Sequence, residues 1–225
     1  MIFLSPVTKQ ALQYIQPHMT VSLGGGRHMQ ALADAIAAAA ITDLRITSPS
    51  ELTRAYCRER HLPTIAQPNH IDVAFDGCDS ADADLNLLKS NGGIHTQEKV
   101  YAQLAQSYII LAPSTRVQHQ LDPQVPLCLE VVPACAALVG QFAAGPGLKV
   151  QQRVAANYAG YVYTSQGNVL LDCHAADWTN IAQIADQLSR FNGVVSTSYF
   201  ANLTSCILAE AADGTVTVIK KGDLK

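Results

Sequence analysis

The stretch DGCDSADADLNLLKSNGGIHTQEK, Asp76 to Lys99, puts five acidic side chains, two lysines and a glycine pair into one segment of a chain that is only 15% charged. Carboxylates next to an ammonium group and a glycine loop can support proton transfer beside a carbonyl. A carboxylate can take the proton, and fixed cations and amides can hold the oxygen charge that results. Asp76 and Gly77 directly follow an apolar run, Ile71–Phe75, so Asp76 and Asp79 stand at the carboxyl end of an expected strand. Lys89 and the SNGG loop (Ser90–Gly93) precede an expected helix whose first turn holds Glu98. Two loops and a helix start are therefore available to converge on one cleft. Calcium is a poor fit. An EF-hand loop starting at Asp82 would need Gly at position six and Glu at position twelve, where this chain has Leu87 and Gly93. A solvated acidic loop is the plain alternative, and Asp82 and Asp84 suit it.

A second candidate is GGGRH, Gly24–His28, between the apolar run Met19–Leu23 and a helical pattern. A glycine turn at a strand's carboxyl end and a helix start lets backbone amides approach an anion, and Arg27 could add a fork of donors. A tight turn with Arg27 in solvent is equally compatible with the residues. Met29 stands where a dinucleotide fingerprint needs its third glycine. YTSQG (Tyr163–Gly167) lacks the first glycine of a nucleophile elbow and reads as a hairpin turn. Cys78, between two aspartates, reads as a packed thiol disfavoured as thiolate. His28 and His95 read as polar residues lining the cleft.

The elements that must position these groups alternate. Strands are expected at Met19–Leu23, Leu44–Ser48, Ile71–Phe75 and Ser107–Ala112. Met29, Leu32, Ala33, Ile36, Ala37 and Ala40 make one helical stripe, and a helix is expected over about 96–106. Ser48, Pro49 and Glu51 have the spacing of a capping box. This rhythm implies a parallel sheet covered on both faces. After Asp122 the order becomes β-α-β-β-α-β: VPLCLEVVP, ACAALVGQFAA, KVQQRV, GNVLLDCH, TNIAQIADQLSRF and GVVSTSYF. That is the split-βαβ, ferredoxin-like arrangement. LTSCILAEAADGTVTVIKK closes the chain as two strands with an Asp213-Gly214 turn. The expected architecture is α/β: a Rossmann-like parallel-sheet domain over 1–122 and 200–225, with an inserted ferredoxin-like α+β domain over 123–199.

The totals agree with one compact enzyme-sized unit. The chain has 225 residues, a formal net charge of −3 and 48% hydrophobic residues. No basic stripe suggests nucleic acid, and no run of about 18 apolar residues suggests a membrane span. The opening MIFLSPVTKQ lacks the charge and apolar core of a signal peptide, so a cytoplasmic location is expected. The six cysteines have no C-x-x-C spacing and are expected to be reduced. The seven histidines show no H-x-H or H-E-x-x-H pattern, so a catalytic metal is not expected. No cofactor is expected either.

The acidic segment resembles, without a gap, the type A ribose-5-phosphate isomerase signature D-G-A-D-E-x-D-x-D-L-N-L-[IL]-K-G-G-G-G-A-x-x-x-E-K. LQYIQPHMTVSLGGGRH is similar to that family's first strand and G-T-G-S-T loop, ITSPSELT to its serine-rich strand end, PLCLEVVP to the start of its inserted domain, and YFAN with DGT to its C-terminal end. The resemblance implies a metal-free exchange of ribose 5-phosphate and ribulose 5-phosphate, the same two-domain fold, and a homodimer or homotetramer. It places the base on Glu98, the motif aspartates on Asp76 and Asp79, and the loop lysine on Lys89. The implied substrate shell comprises Gly24, Gly25, Gly26, Arg27, His28, Ser48, Gly77, Cys78, Ser90, Asn91, Gly92 and Arg116. The chemistry is coherent, because a helix N-terminus favours an ionised Glu98 and the loop amides with Lys89 can form an oxyanion hole. Departures fall in the anion shell. Gly25, Arg27 and His28 replace Thr, Ser and Thr, Ser80 replaces a Glu, and Ser90 and Asn91 replace two glycines. Arg116 aligns with a phosphate-site lysine, and another family lysine falls near Leu4. These changes leave room for a different aldose phosphate, or for a sensor that binds sugar phosphate without turnover. The retained Glu98, and the lack of a helix-turn-helix region, speak against the sensor.

Overall fold

The computed structural model describes residues 4–145 and 147–224. The first three residues of MIFLSPVTKQ and the last residue of the 200–225 segment therefore lie outside the described residues. In chain order, α1 (Pro6–Leu12) is capped by Ser5, which accepts from the Thr8 amide. It is followed by β1 (Thr20–Leu23), α2 (Arg27–Ala39), β2 (Arg45–Thr47), α3 (Glu51–Glu59) and β3 (Ile71–Asp76). Two short strands, β4 (Ser80–Ala81) and β5 (Leu87–Leu88), lead to α4 (His95–Leu104) and β6 (Ala105–Pro113). Next come β7 (Leu127–Val131), α5 (Ala136–Ala144), β8 (Lys149–Gln152), β9 (Val169–His174), α6 (Ile181–Ser189) and β10 (Val194–Thr197). The chain closes with β11 (Tyr199–Phe200), β12 (Cys206–Glu210) and β13 (Val216–Ile219).

The near-continuous apolar runs of β1, β3, β6 and β12 pair in parallel, and only the edge strand β13 runs antiparallel to β12. The order β13-β12-β6-β3-β1-β2 covers both faces with apolar side chains. Val21, Leu23, Val73 and Phe75 pack on one side with Met29, Leu32 and Ile36. Ala74, Tyr108 and Ile110 pack on the other with Leu87 and Phe200. The strand order reverses between β1 and β3, the switch point at which open α/β sheets hold ligands. This is the expected Rossmann-like sheet. The second sheet has the order β10-β7-β9-β8 with every neighbour antiparallel, the 4-1-3-2 pattern of a ferredoxin-like unit. Its core contains Leu127, Leu129, Val131 and Trp178, and the indole N–H of Trp178 donates to Val125 O (2.9 Å).

Several local expectations change. Ser50, not Ser48, caps α3 by accepting from the Thr53 amide (3.3 Å), and Ser48 Oγ instead accepts from the Ser50 amide (3.0 Å). Ala37 and Ala40 are exposed, because α2 ends at Ala39 and Ala40 turns left-handed. GVVSTSYF is two strands: β10 pairs with β7, whereas β11 crosses to β5. Helix α1 and the short strands β4 and β5 had no periodic signal long enough to announce them. The Asp213-Gly214 turn forms, with Gly214 at φ +84 and Asp213 accepting from the Thr215 amide (2.9 Å).

Candidate active site

β1 and β3 end side by side, so the Gly24 amide donates to Phe75 O (2.8 Å). A Cβ on Gly24 would lie 2.0 Å from Asp76 Oδ1, so the close approach itself demands glycine. Asp76 Oδ1 accepts from the Gly77 amide (2.8 Å), and Oδ2 accepts from the Tyr108 hydroxyl (3.2 Å). The β4–β5 hairpin then delivers Lys89, and α4 delivers Glu98. Lys89 Nζ lies 3.0 Å from Asp76 Oδ2 and 3.3 Å from Glu98 Oε1, and donates to Gly77 O at 2.6 Å. The Gly77 contact has hydrogen-bond geometry, the two carboxylates flank the ammonium as ion pairs, and the three side chains are only 5–6% exposed.

Burial and charge set their protonation. Burial pushes the Glu98 carboxyl up to about 8, the Asp76 charge pushes the same way, and Lys89 pulls against both. Burial therefore opposes the helix terminus, the feature expected to keep Glu98 ionised. Burial alone would lower the Lys89 ammonium, but the Asp76 and Glu98 carboxylates outweigh it and hold Lys89 charged above its ordinary range. Burial pushes the Cys78 thiol up to about 12, so it is the packed thiol expected.

Asp79 is taken up by its own loop. Its Oδ2 accepts from the Ser90 and Asn91 amides (2.7 and 2.9 Å), and its Oδ1 from Asn91 Nδ2 (2.7 Å). Asp79 therefore anchors the loop, and Gly92 and Gly93 beyond it line the cleft. The Ser90 hydroxyl points away, donating to Pro126 O and sharing a 2.9 Å hydrogen bond with Ser198 Oγ.

These groups share a cleft of about 680 Å3. From the expected set it is lined by Gly25, Gly26, Asp76, Gly77, Cys78, Asp79, Lys89, Gly92, Glu98 and Arg116. Arg116 sits on a 3-10 turn after β6 and donates from Nη1 to Cys78 O (2.6 Å). Gly24 lies just behind the lining. Arg27 and His28 start α2 and do not line the cleft; neither do Ser48, turned onto Ser50, nor Ser90 and Asn91. His95 is also not a lining residue. It is fully buried, its Nε2 is 3.5 Å from Ser196 O, and burial lowers its imidazole to about 4. Among the described residues no three His, Cys, Asp or Glu side chains group as a metal site.

Sequence reasoning missed two walls. One is the start of α3, Pro49–Leu52, and the other is the turn Val162–Ser165 from the second sheet. That turn is the expected hairpin, closed by the Gly167 amide on Thr164 O (2.9 Å), but nothing in its composition tells that it overhangs residues some 65 positions away. Tyr163, on the arm of this hairpin and paired with Val169, is half-exposed beside the cleft.

The family model described as ribose 5-phosphate isomerase A (phosphoriboisomerase A) matches residues 45–214. The chain is 30% identical to "Ribose-5-phosphate isomerase A" of a Synechococcus strain, over 92% of each chain. It is likewise 30% identical to the protein of that name from Desulfatibacillum aliphaticivorans, again over 92% of each chain. A D-ribose-5-phosphate isomerase solved in complex with phospho-erythronic acid superposes with TM-score 0.89 at 25% identity, covering 96% of both chains. The ribose 5-phosphate isomerase A structure from Methanocaldococcus jannaschii shares the fold, with TM-score 0.88 at 24% identity and coverage of 96% and 97%.

Proposed function

This chain belongs to the ribose 5-phosphate isomerase A family, and we propose that its cleft carries out the family's reaction with Glu98 as the base. It is an isomerase that interconverts ribose 5-phosphate and ribulose 5-phosphate. The Glu98 carboxylate takes the proton from C2 of the open-chain aldose. The C–H electron pair becomes the C1–C2 double bond, and the carbonyl electrons move onto O1 as an oxyanion. Lys89 and the Gly92 and Gly93 amides stabilise that charge as it develops. Glu98 then delivers its proton to C1, the O2 proton passes to O1, and C2 becomes the carbonyl. One hydrogen has moved from C2 to C1 with no outside oxidant. Asp76 holds Lys89 in place, and Asp79 fixes the glycine loop.

The observation that carries this reading is Lys89 Nζ shared between Asp76 (3.0 Å) and Glu98 (3.3 Å) at the switch-point cleft. Arg116 and the amides at the starts of α2 and α3 are the proposed phosphate holders, in place of Arg27. The solved relative that holds phospho-erythronic acid, an anion with a phosphate and a carboxylate, supports a cleft with two anionic subsites. We read the two sheets as the two domains, 1–122 with 200–225 and 123–199. We also read the protein as a cytoplasmic homodimer or homotetramer. No described helix is long and apolar enough to cross a membrane.

The test is a coupled assay with ribose 5-phosphate on wild type and Glu98→Gln. Removing the base lowers kcat by roughly 10²–10⁴-fold while calorimetric substrate binding is largely kept. Full activity in the variant removes Glu98 from the role.

A further inference from the structure

Glu130 is 1% exposed, yet it is a carboxylate in the middle of β7. Its strand neighbours Leu127, Leu129 and Val131 all belong to the apolar core of the second sheet. Alternation along the strand turns Glu130 to the opposite face. There its Oε2 accepts from Thr96 Oγ1, in the first turn of α4, two residues before Glu98. Its Oε1 accepts from Thr164 Oγ1 (2.9 Å) and from Asn168 Nδ2 (2.8 Å). Thr164 belongs to the Val162–Ser165 turn that walls the catalytic cleft, whereas Glu130 and Thr96 do not line it.

Burying a carboxylate is costly unless hydrogen bonds compensate, and an apolar residue would fill this place in the sheet at less cost. Here all three donors are neutral, and they come from the two segments whose relative position sets the cleft's width. We propose that Glu130 is a positioning residue for the isomerisation: it ties the 162–165 wall to the start of α4, and so sets the wall's distance from Glu98. The proposal rests on the isomerase reading above. One side chain from the second sheet thereby makes the cleft's outer wall follow the helix that carries the base.

The test compares steady-state kinetics on ribose 5-phosphate for wild type, Glu130→Gln, Glu130→Leu and Thr96→Val, with circular-dichroism melts showing which variants are folded at the assay temperature. Thr96→Val and Glu130→Gln, both close in shape to the native side chains, lower kcat/KM by roughly 3–10-fold, the net scale of one ordinary hydrogen bond. The loss falls chiefly on KM, because a displaced wall weakens ground-state and transition-state binding alike. Glu130→Leu, which cuts all three ties, loses more than either. If Glu130→Leu does not fold, the two near-isosteric variants decide. A purely structural Glu130 would lower the melting temperature and leave kcat and KM of the folded variants within about twofold of wild type, and that result overturns the proposal. A wild type without turnover overturns the isomerase reading and this role with it, whereas an active wild type beside unaffected variants overturns only the role of Glu130.

Discussion

Glu98 stands under two opposed influences, and their relative size decides how the enzyme responds to pH. Its place in the first turn of α4 favours the anion by about 0.3–1 kcal/mol. Burial and the Asp76 charge oppose ionisation more strongly and push the carboxyl to about 8, even with Lys89 pulling it down. A base must be deprotonated to act, so kcat/KM should rise with pH through an apparent pKa near 8 and fall about tenfold per unit below it. The value belongs to the Asp76–Lys89–Glu98 set rather than to one group. Rates measured from pH 6 to 9 check this. A profile already flat at pH 6 would mean that Lys89 keeps Glu98 ionised throughout.

At the scale of elements, Ser198 is the knot where one expected strand becomes two. Its amide donates to Cys128 O (2.8 Å) and its hydroxyl accepts from the Cys128 amide (2.8 Å), which completes the β7 side. Its carbonyl accepts from the Lys89 amide (3.0 Å), after which β11 runs beside β5. The residue that ends one sheet therefore fixes the backbone of Lys89, the lysine of the proposed site. Ser198→Ala leaves the buried Cys128 amide without its acceptor and should cost on the order of 1–3 kcal/mol, read as a lower melting temperature. An unchanged melt would show that the backbone bonds alone hold the crossover.

For the whole molecule, the two sheets share more than a chain crossing. Leu87 packs in the core beneath the parallel sheet and its neighbour Leu88 in the core of the second sheet, so β5 is common to both. Glu130, Ser198 and Arg153, which donates from Nη1 to Asn91 O (3.3 Å), add polar ties around the same junction. A junction so dense predicts one cooperative unfolding transition rather than two. Trp178 is the sole tryptophan and lies in the second sheet's core, so its fluorescence reports that half alone. Its thermal transition should coincide with loss of far-UV circular dichroism. Two separated midpoints would show that the sheets unfold independently.

The sequence by itself determined the parallel sheet and the β-α-β-β-α-β order of the second sheet, and its likeness to a family signature singled out Asp76, Asp79, Lys89 and Glu98 as the proposed site. Apolar periodicity and the spacing of residues within one short segment are local properties, and local properties are written in the chain. Only the tertiary structure decided that Arg27, His28 and His95 stay out of the cleft while Val162–Ser165 and the start of α3 wall it. It also decided that Asp79 is spent on its own loop and that burial pushes the Glu98 carboxyl upward. Those outcomes depend on which distant backbone approaches a side chain and how much water it displaces. Neither quantity has a signature in residue type or spacing.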